Sequence, residues 1–159
     1  MIKTNMAKYL KNHYKITIPV RPDSINRVVK YGKKEGDIVH LKRKWEKITM
    51  RYIDEALLNQ ELPKKFKGII GVHFKLYFET MRERDGDNYS LMCKGILDAF
   101  VALNLIRDDN FHYVEDNGRR LEIDAERPRV DVYITEKVPD DQIVSIKDYK
   151  KHARKLTKN

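Results

Sequence analysis

A segment near the middle of the chain alternates between apolar and other side chains, and it limits the folds open to this sequence. From Ile70 to Phe78 every second residue is large and apolar. A period of two is typical of a β-strand that buries one face. Such a strand needs partner strands and a covering layer, so we expect a sheet with helices packed against one side.

Two longer segments are suited to that covering layer. Apolar residues recur at helical spacing over residues 40–60 and again over residues 88–104, which predicts two amphipathic helices. Leu62-Pro63 is expected to end the first helix. The residues expected to enter the core from the second helix are Met92, Ile96, Ala99, Phe100 and Leu103.

Three more segments are predicted to be strands, at residues 14–20, 121–123 and 130–134, and residues 21–39 are expected to form a loop. The order β, α, β, α, β, β predicts an α/β (α+β) fold with a mixed β-sheet packed by two main helices. A length of 159 residues fits one small domain. We expect its core to span residues 14–135, with residues 136–159 as a basic C-terminal extension.

The composition points to a polyanionic partner. Lysine and arginine number 33 against 24 acidic residues, for a formal charge of +9, and nucleic acid is the expected partner. A membrane is disfavoured, because we find neither an apolar run of about 18 residues nor a hydrophobic amino-terminal signal. Cys93 is the single cysteine, which excludes a disulfide framework within the chain and predicts a cytoplasmic protein.

Against this basic background, carboxylates gather at both ends of the second predicted helix. Asp85 and Asp87 precede it, and Asp108 and Asp109 follow it. Carboxylates held close together repel one another unless a cation or a proton intervenes. Hard divalent cations such as Mg²⁺ prefer oxygen ligands of this kind. The sequence therefore predicts a metal site, with Asp108 or Asp109 completing it and the metal activating water.

The same residues also fit a structural role. Asp85-Gly86-Asp87-Asn88 is a turn and helix-cap sequence, and Asp108-Asp109-Asn110 is a possible polar turn. In a continuous helix, Lys94 and Asp98 fall on the same side as Asp87. Lys94 then either contacts a phosphate or the transition state, or forms an ion pair with Asp98.

Three motifs in this region together resemble the RusA family of Holliday-junction resolvases, small endonucleases of bacteria and their prophages. They are Asp85-Gly86-Asp87-Asn88, Lys94-Gly95-Ile96-Leu97-Asp98-Ala99 and Asp108-Asp109. The segment Ile18-Pro19-Val20-Arg21-Pro22, followed by Asn26-Arg27, is similar to the family's proline-containing first strand and subsequent asparagine. The resemblance covers about residues 14–135. Here the lysine lies later than in the family, by nearly one helical turn.

The resemblance implies a homodimeric nuclease that binds four-way DNA junctions and cuts opposing strands with Mg²⁺, or with Mn²⁺ as a substitute. It implies no organic cofactor. Asp85, Asp87 and Asp109 match the catalytic, metal-binding aspartates, with Asp108 as the alternative to Asp109. Lys94 matches the family's functional lysine. The candidate DNA-binding residues are Arg84, Asn26, Arg27, Lys94, Lys33 and Lys34.

Basic residues on the first predicted helix are further candidates for phosphate contacts, which position a protein on DNA without reading its sequence. They are Lys42, Arg43, Lys44, Lys47 and Arg51. Two other functions stay open. One is a non-catalytic DNA-binding or recombination accessory protein, whose aspartates only cap helices and turns. The other is a phosphohydrolase of small nucleotides, which the large basic excess disfavours.

Overall fold

The computed structural model describes residues 13–25, 35–82 and 84–137. They form a small single domain with a four-stranded mixed sheet and two helices, which confirms the predicted α+β fold class. The elements are β1 (His13–Ile18), α1 (Glu35–Leu58), β2 (Ile70–Phe78), a short 3₁₀ helix (Gly86–Tyr89), α2 (Ser90–Ala102), β3 (Val114–Ile123) and β4 (Arg129–Glu136). The expected C-terminal extension, residues 136–159, lies outside the described residues from residue 138 onward.

The strand order is β1-β4-β2-β3. Strand β4 runs antiparallel to both of its neighbours, so that Val130 lies opposite Ile18 on one side and Leu76 on the other. Strand β3 runs parallel to β2. It follows that β1, β2 and β3 point in the same direction, and their carboxyl ends meet at one end of the sheet. Open sheets commonly bind ligands beyond the carboxyl ends of parallel strands.

The core lies on the face of the sheet that the alternation in β2 predicts. Ile70 and Leu76 are completely buried, whereas Lys75 and Tyr77, on either side of Leu76, are partly exposed. The core continues into Trp45 of α1 and into α2, where Met92, Ile96, Ala99 and Phe100 are completely buried as expected. The prediction for Leu103 is only partly confirmed, because this residue follows the end of α2 and is half-buried.

Close contact between the two helices depends on one glycine. A Cβ atom at Gly95 would lie 2.4 Å from the carbonyl oxygen of Lys42 and 3.1 Å from the Cβ of Trp45. Distances this short are not tolerated, so only glycine lets α2 approach α1 here. The approach brings the second and third turns of α2, which carry Lys94 and Asp98, against α1.

The bounds of the first strand and first helix differ from the predictions. Strand β1 ends at Ile18, two residues before Val20. Helix α1 begins at Glu35, inside the segment predicted as a loop, and it ends at Leu58, before Leu62-Pro63. Gln60 has a φ of 57°, and this left-handed conformation turns the chain out of the helix without help from the proline.

The second helix and the third strand also need correction. The helix predicted over residues 88–104 is confirmed with shorter bounds, because Gly86–Tyr89 is a 3₁₀ helix and α2 spans Ser90–Ala102. Asp87 therefore does not lie on the same α-helix as Lys94. The strand expected over residues 121–123 begins at Val114. Strand β3 lies at the edge of the sheet and is mostly exposed, so its first half lacks the apolar alternation that marks a half-buried strand.

Candidate functional site

Asp85 and Asp87 come after β2 in the chain and lie at the start of the 3₁₀ helix. Asp85 is the N-cap residue of this helix, and its Oδ1 accepts a hydrogen bond of 3.1 Å from the backbone N–H of Asp87. Both side chains are exposed. Among the described residues, neither carboxylate forms an ion pair. Asp85 therefore does act as a cap, but most of the oxygen-donor capacity of the pair is open to solvent.

Asp108 and Asp109 have different surroundings, although they are adjacent in the sequence. The Oδ1 of Asp108 accepts a 2.7 Å hydrogen bond from the backbone N–H of Asp109, and its Oδ2 accepts a 2.9 Å bond from the side chain of Asn110. The backbone bond is the largest cause that lowers the pKa of Asp108. Asp108 therefore forms the polar turn. Asp109 directs its Oδ2 at the ammonium of Lys94 instead.

Lys94 lies at the centre of a network of alternating charges that we call the lysine–aspartate network, formed by Lys42, Lys94, Asp98 and Asp109. The Nζ of Lys94 donates to Asp109 and also to the Oδ1 of Asp98, at 3.0 Å. The other oxygen of Asp98 lies 3.5 Å from the Nζ of Lys42. The network joins α1, α2 and the turn that follows α2. The expected pairing of Lys94 with Asp98 is confirmed.

The network stabilises positive charge at Lys94. Burial lowers the pKa of Lys94, but hydrogen bonds from Asp109 and Asp98 and their negative charges outweigh it, so that the pKa is raised overall. Lys94 is consequently a cation at any physiological pH. Its carboxylate partners are largely shielded, with side chains that are 17% (Asp109) and 21% (Asp98) exposed.

The fit of a divalent cation can be judged from these contacts. Carboxylate oxygens are the donors that Mg²⁺ and Mn²⁺ prefer, and Asp109 already binds a cationic group, the ammonium of Lys94. The donor chemistry of Asp85, Asp87 and Asp109 therefore fits such an ion. Within residues 13–25, 35–82 and 84–137, however, no three histidine, cysteine, aspartate or glutamate side chains are grouped so that they could hold a metal.

Arg84 is held in place beside Asp85. Its Nη1 donates to the carbonyl oxygens of Thr80 (2.8 Å) and Arg82 (3.0 Å), and its Nη2 donates to the hydroxyl of Thr80. The guanidinium also lies over the ring of Phe78, with Cζ 4.1 Å from the ring centroid. An arginine fixed in this way loses little further freedom when it binds a phosphate.

Two other arginines act on the same region. Burial raises the pKa of the Tyr89 hydroxyl, while Arg84, Arg21 and Arg82 oppose that increase through their charges. Arg21 follows β1 and Arg82 follows β2, so the parallel direction of these strands brings both to one end of the sheet. We call Arg21, Arg82 and Arg84 the arginine group. Of these three arginines, the sequence motifs predict only Arg84, although Arg21 and Arg82 also come shortly after predicted strands.

Arg119 of β3 holds the 3₁₀ helix and the start of α2. Its Nη1 donates to the carbonyl oxygen of Gly86 at 3.1 Å and to the hydroxyl of Ser90 at 2.6 Å. Cys93 lies in the next turn of α2, and burial raises the pKa of its thiol to about 12. Cys93 therefore stays protonated at neutral pH and is not available as a nucleophile.

The remaining DNA-binding candidates divide into two sets. Asn26, Arg27, Lys33 and Lys34 lie outside the described residues. On α1, Lys42 is engaged with Asp98, and the Nζ of Lys44 lies 2.6 Å from Asp23. Arg43, Lys47 and Arg51 are exposed. The α1 candidates that stay open to a phosphate are therefore these three.

Two open carboxylates, Asp85 and Asp87, thus follow the fixed Arg84 in the chain, and α2 carries Lys94, which is already bound to the carboxylate of Asp109. Lys94 lies four residues after Ser90, about 6 Å along the axis of α2. No helix in the described part of the chain is both long enough and apolar enough to cross a membrane. Comparison of the sequence with protein-family models and with curated proteins gives no match to either.

Proposed function

We propose that this protein is a Mg²⁺-dependent, structure-selective DNA endonuclease of the RusA kind, which resolves four-way junctions as a homodimer. Mn²⁺ would serve as a substitute metal. The observation that carries the proposal is the exposed pair Asp85 and Asp87, which has no ion-pair partner among the described residues and follows the fixed Arg84 in the chain. We also propose that the protein is cytoplasmic.

The roles of the residues follow from their surroundings. Asp85, Asp87 and Asp109 would hold the metal, which supplies Lewis-acid polarisation of a phosphodiester and a nucleophile derived from water. Arg84 would bind a backbone phosphate through the part of its guanidinium that its contacts with Thr80 and Arg82 leave free. Arg119 keeps the 3₁₀ helix, and with it Asp87, in a fixed position relative to β3.

The overall charge supports a polyanionic substrate. A formal charge of +9 favours DNA over a small nucleotide, because a small substrate needs only a local positive site. Arg21 and Arg82 contribute positive charge near Tyr89, the last residue of the 3₁₀ helix that carries Asp87. Phosphate contacts of this kind fix position and orientation rather than sequence, which suits recognition of a branched shape. A homodimer supplies two equivalent sites for two symmetric cuts.

The test is an assay of binding and cutting on the same substrate. We expect purified protein to cut a labelled four-way junction when Mg²⁺ is present, to stop when EDTA is added, and to leave a linear duplex intact. Asp87→Asn should lower the cutting rate at least a hundredfold and still retard the junction on a native gel. The matched control is Asp54→Asn, which changes an exposed aspartate on α1 and should cut normally.

A second candidate function is favoured by the caps. Asp85 closes the 3₁₀ helix and Asp108 closes a turn, as they would in a DNA-binding accessory protein with no activity of its own. That protein would retard the junction and leave it intact with either metal. Release of phosphate from nucleoside triphosphates, with the junction uncut, would instead indicate a nucleotide hydrolase.

A further inference from the structure

We propose that Lys94 is an internal competitor of the divalent cation, which holds the carboxylate of Asp109 until the metal displaces it. The inference rests on the proposed function, because it takes Asp109 to be a metal ligand. It assigns Lys94 as a positioning residue that sets the affinity of the metal. No contact between Lys94 and the substrate is required.

The contacts in the lysine–aspartate network are unequal, and this inequality carries the inference. Asp98 is shared by two lysines, since one oxygen receives Lys94 at 3.0 Å and the other lies 3.5 Å from Lys42. Among the described residues, Asp109 pairs with Lys94 alone. Loss of the Lys94 charge would therefore leave Asp98 still paired with Lys42, whereas Asp109 would be left as an open carboxylate.

Lys94 also keeps a second partner when it leaves Asp109. Asp98 lies four residues further along α2, at the spacing that suits an ion pair on one helix face. The Lys94 side chain is 46% exposed, so its ammonium can leave Asp109 and keep Asp98 and water as partners. A half-exposed ion pair is weak, and its loss opposes metal binding only modestly. The ammonium of Lys94 can thus leave the carboxylate of Asp109 when a metal ion binds there.

The first measurement is the affinity of the metal-free protein for Mn²⁺. It is made by electron paramagnetic resonance, at neutral pH and without DNA. Lys94→Gln keeps most of the side-chain length and removes the charge. We expect this variant to bind Mn²⁺ about fivefold more tightly than the unmodified protein, because one competing unit charge leaves the ligand. Equal or weaker binding would overturn the inference. Circular dichroism verifies that the variant is folded.

Two control variants separate competition at Asp109 from a general change of charge. Lys42→Gln removes the same charge from the same network without touching Asp109, and its affinity should stay within twofold of the unmodified protein. In the double variant Lys94→Gln with Asp109→Asn, the gain should disappear. A gain of similar size in Lys42→Gln, or one that persists without Asp109, would show a general field effect and contradict the inference.

Failure of the inference and failure of the proposed function give different results. If the unmodified protein and Lys94→Gln bind Mn²⁺ with the same affinity and Asp87→Asn binds it much more weakly, the metal site stands and the inference alone falls. If none of the variants binds Mn²⁺ at millimolar concentration, the proposed metal-dependent function falls, and the inference falls with it.

Discussion

Asp131 and Asp87 have the same side chain and opposite surroundings. Asp131 lies near the start of β4 and is completely buried, and it accepts a hydrogen bond of 2.9 Å from the hydroxyl of Thr17. It also lies 3.3 Å from Arg129 and 3.5 Å from Lys15. Asp87 is exposed and has no ion-pair partner among the described residues.

The difference separates carboxylates that stabilise the fold from carboxylates that can still bind a ligand. A buried charge is tolerated only when partners replace the water that it loses, so Asp131 is committed to holding β1, β4 and Arg129 together. An exposed carboxylate keeps its water and can exchange that water for a ligand. Asp109 lies between the two extremes, since it is largely shielded and is held by a lysine that can move away.

The largest expected effect is the loss of stability when Asp131 is replaced. Asp131→Ala removes the shared partner of Arg129 and Lys15 and should lower the free energy of unfolding by about 3 kcal/mol. Asp87→Ala, as the matched change at an exposed site, should shift it by no more than about 0.5 kcal/mol. Urea unfolding of both variants measures this. Equal shifts would remove the distinction between the two classes.

Replacement of Asp23, a second buried and paired aspartate, should have a smaller effect on stability. Asp23 is nearly buried, and its Oδ2 accepts bonds from the Nε1 of Trp45 at 3.0 Å and from Lys44 at 2.6 Å. Asp23→Asn keeps the shape and removes the charge, so we expect a loss of about 1.5 kcal/mol. The same urea experiment on Asp54→Asn provides the control. A loss at Asp23 no larger than that at Asp54 would contradict the assignment.

Acid should weaken the ion pair that Asp124 forms with Arg129, which is also a partner of Asp131. A hydrogen bond from Arg129 is the largest cause that lowers the pKa of Asp124. A carboxyl whose folded pKa is lowered stabilises the protein above its unfolded pKa, about 3.9, and loses that contribution as pH falls through the folded pKa. Asp124→Asn should therefore reduce the fall in the urea midpoint below pH 4. An unchanged fall would exclude this contribution.

Regions with a strong apolar period were predictable from the sequence. The alternation from Ile70 to Phe78 gave β2 its correct bounds, because one of its faces is buried and the other is not. The buried positions of α2 followed from helical spacing in the same way. Strand β3 was mostly missed, since it lies at an exposed edge and Gly118, with a φ of 82°, interrupts it where its register with β2 shifts.

The candidate site was only partly predictable. Adjacent residues such as Asp108 and Asp109 are equivalent in sequence, and only the turn around Asn110 directs the first carboxylate to the backbone N–H of Asp109 and the second to Lys94. Asp131 is not among the predicted residues, although an aspartate between two valines of an apolar strand is a signal for a buried, paired charge. Contacts between distant segments depend on the packing of strands and helices, which local spacing does not specify.

The most direct test of the account compares cutting and stability in the same two variants. Asp87→Asn and Asp131→Asn are assayed for single-turnover cutting of a four-way junction with Mg²⁺, at a temperature where both are folded, and for their urea midpoints. The account predicts that Asp87→Asn loses cutting and keeps its midpoint, while Asp131→Asn cuts and has a lowered midpoint. Cutting by Asp87→Asn at the rate of the unmodified protein would contradict it.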